Sequence, residues 1–146
     1  LALAHQGTVQ YEAASGKPVD RILPSFIDQA GVPSVDVSSL VCAGGATLPT
    51  VTLQQQRLSL AQPTRPSSAR WQIPVCFKSG GAPDQAGTCT LLTEPRQTVS
   101  VSASCTGWVF ANAGAQGYYR TAHAPDVLRA LGPRVQDLLT APERLR

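Results

Sequence analysis

VPSVDVSSLVC, residues 32–42, is where this chain changes its period. Just before it, in GKPVDRILPSFIDQAG (16–31), Val19, Ile22, Leu23, Phe26 and Ile27 recur at i, i+3, i+4, i+7 and i+8. That spacing is one apolar face of a helix. Pro18 suits the first helical turn and Gly31 the end, while Pro24 sits inside and is expected to kink or split the helix. From Val32 onward apolar side chains come at every second position, with Val35 and Val37 on one face. A period of two belongs to a half-buried strand.

The alternation continues outward from there. ATLPTVTLQQQRLSLAQ (46–62) reads as a longer strand. Val51 and Leu53 share one parity and Leu58 and Leu60 the other, so the phase slips across Gln54–Arg57 and a bulge or twist is expected there. AQPTRPSSA (61–69) is a loop. RWQIPVCFK (70–78) alternates Trp71, Ile73, Val75 and Phe77, and Pro74 removes a ladder donor, which predicts an edge or irregular strand. SGGAPDQAG (79–87) is a loop and TCTLL (88–92) a return strand. QTVSVSAS (97–104), GWVFAN (107–112) and a short GYYRTA (117–122) follow. In the tail, Val127, Leu128 and Leu131 form one short helical face, and Val135, Leu138 and Leu139 resume it past Gly132-Pro133. The prediction is a mainly β fold, a β-sandwich of about seven strands, flanked by an N-terminal helical segment and a short C-terminal one.

Composition narrows the function classes. The 146 residues suit one domain, and a net charge of +3 is carried by scattered arginines with no basic run. That pattern argues against nucleic acid. No apolar window is long enough for a membrane span. LALAHQGTVQ lacks the form of a signal peptide, and the absence of Met suggests a start inside a larger gene product. Four cysteines at 42, 76, 89 and 105 contain no CxxC pair, which disfavours a zinc site. Two disulfides are expected instead, hence a secreted or periplasmic location. Cys76 and Cys89 fall on the two arms of one hairpin, within bridging distance. Cys42–Cys105 then follows by subtraction if all four are oxidised, although four cysteines allow three pairings.

Chemistry is hard to place. There is no GxSxG elbow, phosphate loop or dinucleotide fingerprint. The acids are dispersed. The imidazoles are His5, near the start, and His123, which reads as a surface residue after the last strand. Trp71, Trp108, Phe110, Tyr118 and Tyr119 could form a stacking platform, but at alternating strand positions such aromatics more often fill a core. Arg120, beside two tyrosines, suits a carboxylate or a neighbouring domain.

The segment W-V-F-A-N-A-G-A-Q-G-Y-Y-R-T-A-H (108–123) resembles a run in the aminopeptidase N family of zinc metallopeptidases, through Trp108, Asn112, Gln116, Gly117, Tyr118, Tyr119 and Arg120. His123 stands where that family often has Tyr. Gln29, Gly31, Pro33 and Val37 are similar to the close of the family's thermolysin-like domain, with Val32 replacing the common aromatic. Gln55, Arg57 and Leu58 are similar to its Gln-x-Arg-Phe strand, RWQIPVCF (70–77) to its W-x-[IV]-P-[LV] strand, and Glu143-Arg144 to the opening turn of its helical domain.

The resemblance implies three parts: residues 1–31 closing the catalytic domain, 32–122 forming the β-sandwich, and 123–146 opening the helical domain. The family's zinc motif H-E-x-x-H and its G-x-M-E-N segment are absent, so it implies a non-catalytic fragment with no metal or other cofactor of its own. Zinc would sit elsewhere in the parent enzyme. The partners implied are the remaining domains of that enzyme, with Gln116, Tyr118, Tyr119 and Arg120 as contact candidates and Trp108 and Phe110 filling the core. Exposed Ile22, Leu23, Phe26 and Ile27 would support self-association when those domains are missing. The alternative is a stand-alone secreted sandwich that binds carbohydrate or peptide through its aromatic face.

Overall fold

A computed structural model of the chain describes residues 16–45, 47–61, 67–80, 88–105 and 107–145. His5 and the rest of 1–15, and parts of the loops expected at 61–69 and 79–87, lie outside the described residues. Helix α1 (Val19–Ile27) is followed by strands β1 (Pro33–Val37), β2 (Thr50–Arg57), β3 (Ile73–Cys76), β4 (Lys78–Ser79), β5 (Cys89–Leu92), β6 (Arg96–Ser100), β7 (Val109–Phe110) and β8 (Arg120–His123). Three short helices close the chain, α2 (Pro125–Leu131), α3 (Val135–Leu138) and α4 (Ala141–Arg144). The fold is mainly β, with eight strands among the described residues.

Four strands form the main sheet in the order β6-β2-β1-β8. β2 runs antiparallel to both β1 and β6, whereas β8 joins β1 in parallel, with Val35 opposite Thr121. β3 pairs with β5 and β4 with β7, both antiparallel. The predicted period of two decides what these strands bury. Val35, Val37, Val51 and Leu53 point inward from the main sheet and share one core with Trp71, Ile73, Val75, Leu92 and Tyr119. Burying a side chain of this size contributes about 1.5–3 kcal/mol, and Pro74 faces solvent on the other side of β3.

Three expectations are corrected. Pro24 does not split α1: the helix runs through it, and Asp28 N–H bonds Pro24 O at 2.9 Å. No bulge interrupts β2, because its register with β1 is continuous from Leu53 to Arg57. Gln55 keeps the inward parity of Val51 and Leu53 and is buried; its amide bonds Trp71 O and Glu94 O and its oxygen accepts from Trp71 N–H at 2.8 Å. The strand ends at Arg57, and Leu58 and Leu60 are exposed. Trp108 and Phe110 are buried, but in a second cluster with Leu131, Leu138 and Leu139. Val109, between them, points into the main core. The terminal helices are thus packed onto the outer side of β7.

Both disulfides are formed. Cys76 and Cys89 are direct cross-strand partners on β3 and β5 with Cα atoms 4.0 Å apart. Cys42 joins Cys105 with Cα atoms 6.0 Å apart. They fit an oxidising environment. No helix among the described residues is long and apolar enough to cross a membrane.

Candidate functional site

Between β7 and β8 the chain makes a tight loop whose form is dictated residue by residue. Asn112 is 1% exposed, and its side chain closes the loop: Oδ1 accepts from Gly117 N–H at 2.9 Å and Nδ2 donates to Gly117 O at 3.3 Å. A Cβ at Gly117 would overlap the ring of Tyr119, so the spacing Gly-Tyr-Tyr leaves room for a ring folded back under its own loop. That ring is buried, and its hydroxyl donates to Ala111 O at 2.7 Å. Burial pushes the Tyr119 phenol up, against a smaller opposing effect from the Cys76 backbone. Gly114 has φ +70°, as the turn requires, and Ala115 follows at φ +54°, a conformation costly for a residue with a Cβ.

The loop meets the C-terminal helices through a buried carboxylate. Glu143 is 2% exposed and accepts four bonds: from Gly114 N–H at 2.8 Å, Thr140 N–H at 2.7 Å, the Thr140 hydroxyl at 3.0 Å and Lys78 Nζ at 3.1 Å. Reaching back to Thr140 caps α4. Burial raises the Glu143 carboxyl, but the Gly114 and Thr140 N–H groups, with Lys78 and the Thr140 hydroxyl, outweigh it and hold the group below its ordinary range. Lys78, on β4, is also buried, so the pair is enclosed, and the carboxylate has three further donors besides the ammonium.

Helix α1 approaches the same loop from the other side. The Phe26 and Tyr118 rings meet edge to face, with centroids 6.4 Å apart. Ser25 and Gln29 dock α1 on the segment leading into β3: Gln72 N–H donates to Ser25 Oγ at 2.9 Å, and Gln29 Nε2 bonds Arg70 O. Between α1, β3 and the loop lies an open groove of about 630 Å3, walled by Ile22, Leu23, Phe26, Tyr118 and the Cys76–Cys89 bridge.

Among curated proteins, the chain is similar to the puromycin-sensitive aminopeptidase of Caenorhabditis elegans, at 28% identity over 123 residues. This chain is related to aminopeptidases. The match takes in 84% of the chain but 13% of the relative, so the chain spans about an eighth of that protein's length. No family model matches it. Among the described residues no group of three or more His, Cys, Asp or Glu could hold a metal ion, and the sequence carries no H-E-x-x-H.

The four contact candidates fall in different environments. Gln116 and Tyr118 are exposed, Tyr118 by 62%. Tyr119 is 2% exposed and faces the core. Arg120 is exposed, and its guanidinium donates to Leu145 O at 2.8 Å, tying β8 to the end of α4. On α1, Ile27 is 69% exposed and Leu23 37%, while Ile22 and Phe26 are half-buried. The stacking platform is not formed, because Trp71, Trp108, Phe110 and Tyr119 are all buried.

His123 is also corrected. It is not a surface histidine: its ring stacks on Phe110 at 5.5 Å, and Nε2 accepts from Ala111 N–H at 3.1 Å. Burial drives its pKa down to about 4, so the neutral imidazole serves as an acceptor. Lys78 and Thr140 carry this site without having stood out in the sequence, whereas Asn112 stood among the residues of the family resemblance. Lys78 falls off the inward parity of Trp71, Ile73, Val75 and Phe77, so the alternation gave no signal of its burial.

Proposed function

We propose that this chain is a non-catalytic structural part of a zinc-dependent aminopeptidase of the aminopeptidase N family, a β-sandwich that links the catalytic domain to the helical domain. The match to an aminopeptidase along most of the chain carries this reading. Two features support it. Helical segments dock at both ends of the β unit, through Ser25, Gln29 and Phe26 on one side and Glu143 on the other. Apolar side chains of α1, Leu23 and Ile27, stay exposed, as is usual for a surface that packs against a neighbouring domain. The remaining domains of the enzyme are the partners, zinc is bound outside this chain, and the disulfides suit export to a periplasm or the extracellular space.

The test is an activity assay joined to a reading of the parent frame. The chain alone, with zinc added, should release no product from fluorogenic aminoacyl amides. The frame upstream of Leu1 should encode H-E-x-x-H with a downstream Glu. Hydrolysis by the chain alone, or a frame without that motif, overturns the proposal.

A further inference from the structure

The geometry points to the 112–118 loop as a coupler that makes the docking of helix α1 and the docking of helix α4 depend on each other. The two helices lie on opposite flanks of the β unit in the chain order, yet each touches this loop. Tyr118 holds the loop to α1 through Phe26, with ring centroids 6.4 Å apart. Gly114 holds it to α4, donating its N–H to Glu143 at 2.8 Å. Contact at both ends does not by itself make a coupler, because a floppy connector would absorb the loss of either one.

This loop is stiff. Asn112 clamps Gly117 through both its side-chain oxygen and its nitrogen. Gly117 in turn is packed against the buried Tyr119 ring with no room for a methyl group. Gly114 and Ala115 occupy adjacent left-handed conformations. A non-glycine residue there persists only when its surroundings over-determine it. The donor aimed at Glu143 belongs to one of these two residues, and the ring facing Phe26 lies four positions on. Releasing either end frees the constraint that presents the other. The coupling must be reciprocal, since it is a free energy shared by two sites.

This inference deepens the linking role proposed above and depends on that reading only for its biological purpose. Its test uses this chain alone, so its failure is distinct from a failed activity test. Urea unfolding equilibria are measured for Tyr118→Ala, Glu143→Gln and the double variant. Sites that do not share a partner combine multiplicatively. Coupling through the loop predicts a double variant less destabilised than the product of the single effects, by about threefold or more in the equilibrium constant. Ser25→Ala supplies the control, because Ser25 anchors α1 to Gln72 without touching the loop. Combined with Glu143→Gln, it should multiply simply.

Simple multiplication for Tyr118 with Glu143 overturns the inference. So does an equal departure in the Ser25 control, which would place the coupling in the whole fold. If Glu143→Gln does not fold, Thr140→Ala weakens the same anchor more gently and completes the cycle.

Discussion

At the scale of single residues, two side chains turn burial into measurable behaviour. The His123 imidazole has a pKa of about 4 in the fold, against about 6.5 in an unfolded chain. Between those values the unfolded state binds the proton and the folded state does not. Stability from the neutral ring is therefore complete above pH about 6.5 and is lost as the pH falls toward about 4, by on the order of 2 kcal/mol. Urea midpoints at pH 7.5 and pH 5.0 should show that drop, and His123→Gln, which keeps an acceptor for Ala111 N–H, should flatten it. Glu143 contributes in a lower window: its depressed carboxyl loses its share only as the pH falls below the ordinary carboxylate range. Gly117 acts by having no side chain. Gly117→Ala drives a methyl group into the Tyr119 ring and should cost about 1–3 kcal/mol, read as a lowered denaturant midpoint.

At the scale of elements, the junction between β4 and α4 depends on one carboxylate with four donors. Glu143→Ala leaves Lys78 charged, buried and unpaired and strips the cap from α4, at a cost of about 3–5 kcal/mol. Lys78→Met removes one of the four donors and should cost clearly less. Chemical denaturation of the two variants in parallel checks the order, and an equal loss would mean that the N–H bonds from Gly114 and Thr140 contribute little. The disulfides make a second element-level comparison. Cys76–Cys89 spans 13 residues and Cys42–Cys105 spans 63. The loop-entropy relation gives about 3 kcal/mol for the shorter and about 4 kcal/mol for the longer. Paired Cys→Ala variants should therefore show the larger loss at Cys42–Cys105.

At the scale of the whole molecule, the exposed face of α1 governs behaviour in solution. Leu23 lines the open groove with Tyr118, Ile27 is exposed at the end of the same helix, and the proposed linking role assigns this face to a neighbouring domain. Without that domain, the chain should associate with itself as concentration rises. Light scattering would then show a mass increasing with concentration, and Ile27→Lys should return it to the monomer value. A concentration-independent monomer mass for the unmodified chain would remove the support that this face gives to the linking role.

Much of the architecture was legible in the sequence because it rests on local periodicity. Val35, Val37, Val51 and Leu53 alternate, and alternation alone sends them to one face. The helix at Val19–Ile27 is readable from its i, i+3, i+4 spacing, and the Cys76–Cys89 bridge from two arms of one hairpin. The phase slip across Gln54–Arg57 was misread because it rested on Leu58 and Leu60, which lie beyond the end of β2 and are exposed, while Gln55 keeps the inward parity through its bonds to Trp71 and Glu94. What only the tertiary structure decided are the long-range polar contacts. Lys78 meets Glu143 across 65 residues and Gly114 meets it across 29; no sequence period links such positions, because the chain between them folds by contacts made elsewhere. His123 is the same case. A strand pattern marks it as polar, and only the arrival of Phe110 and Ala111 beside it makes it half-buried, neutral and an acceptor.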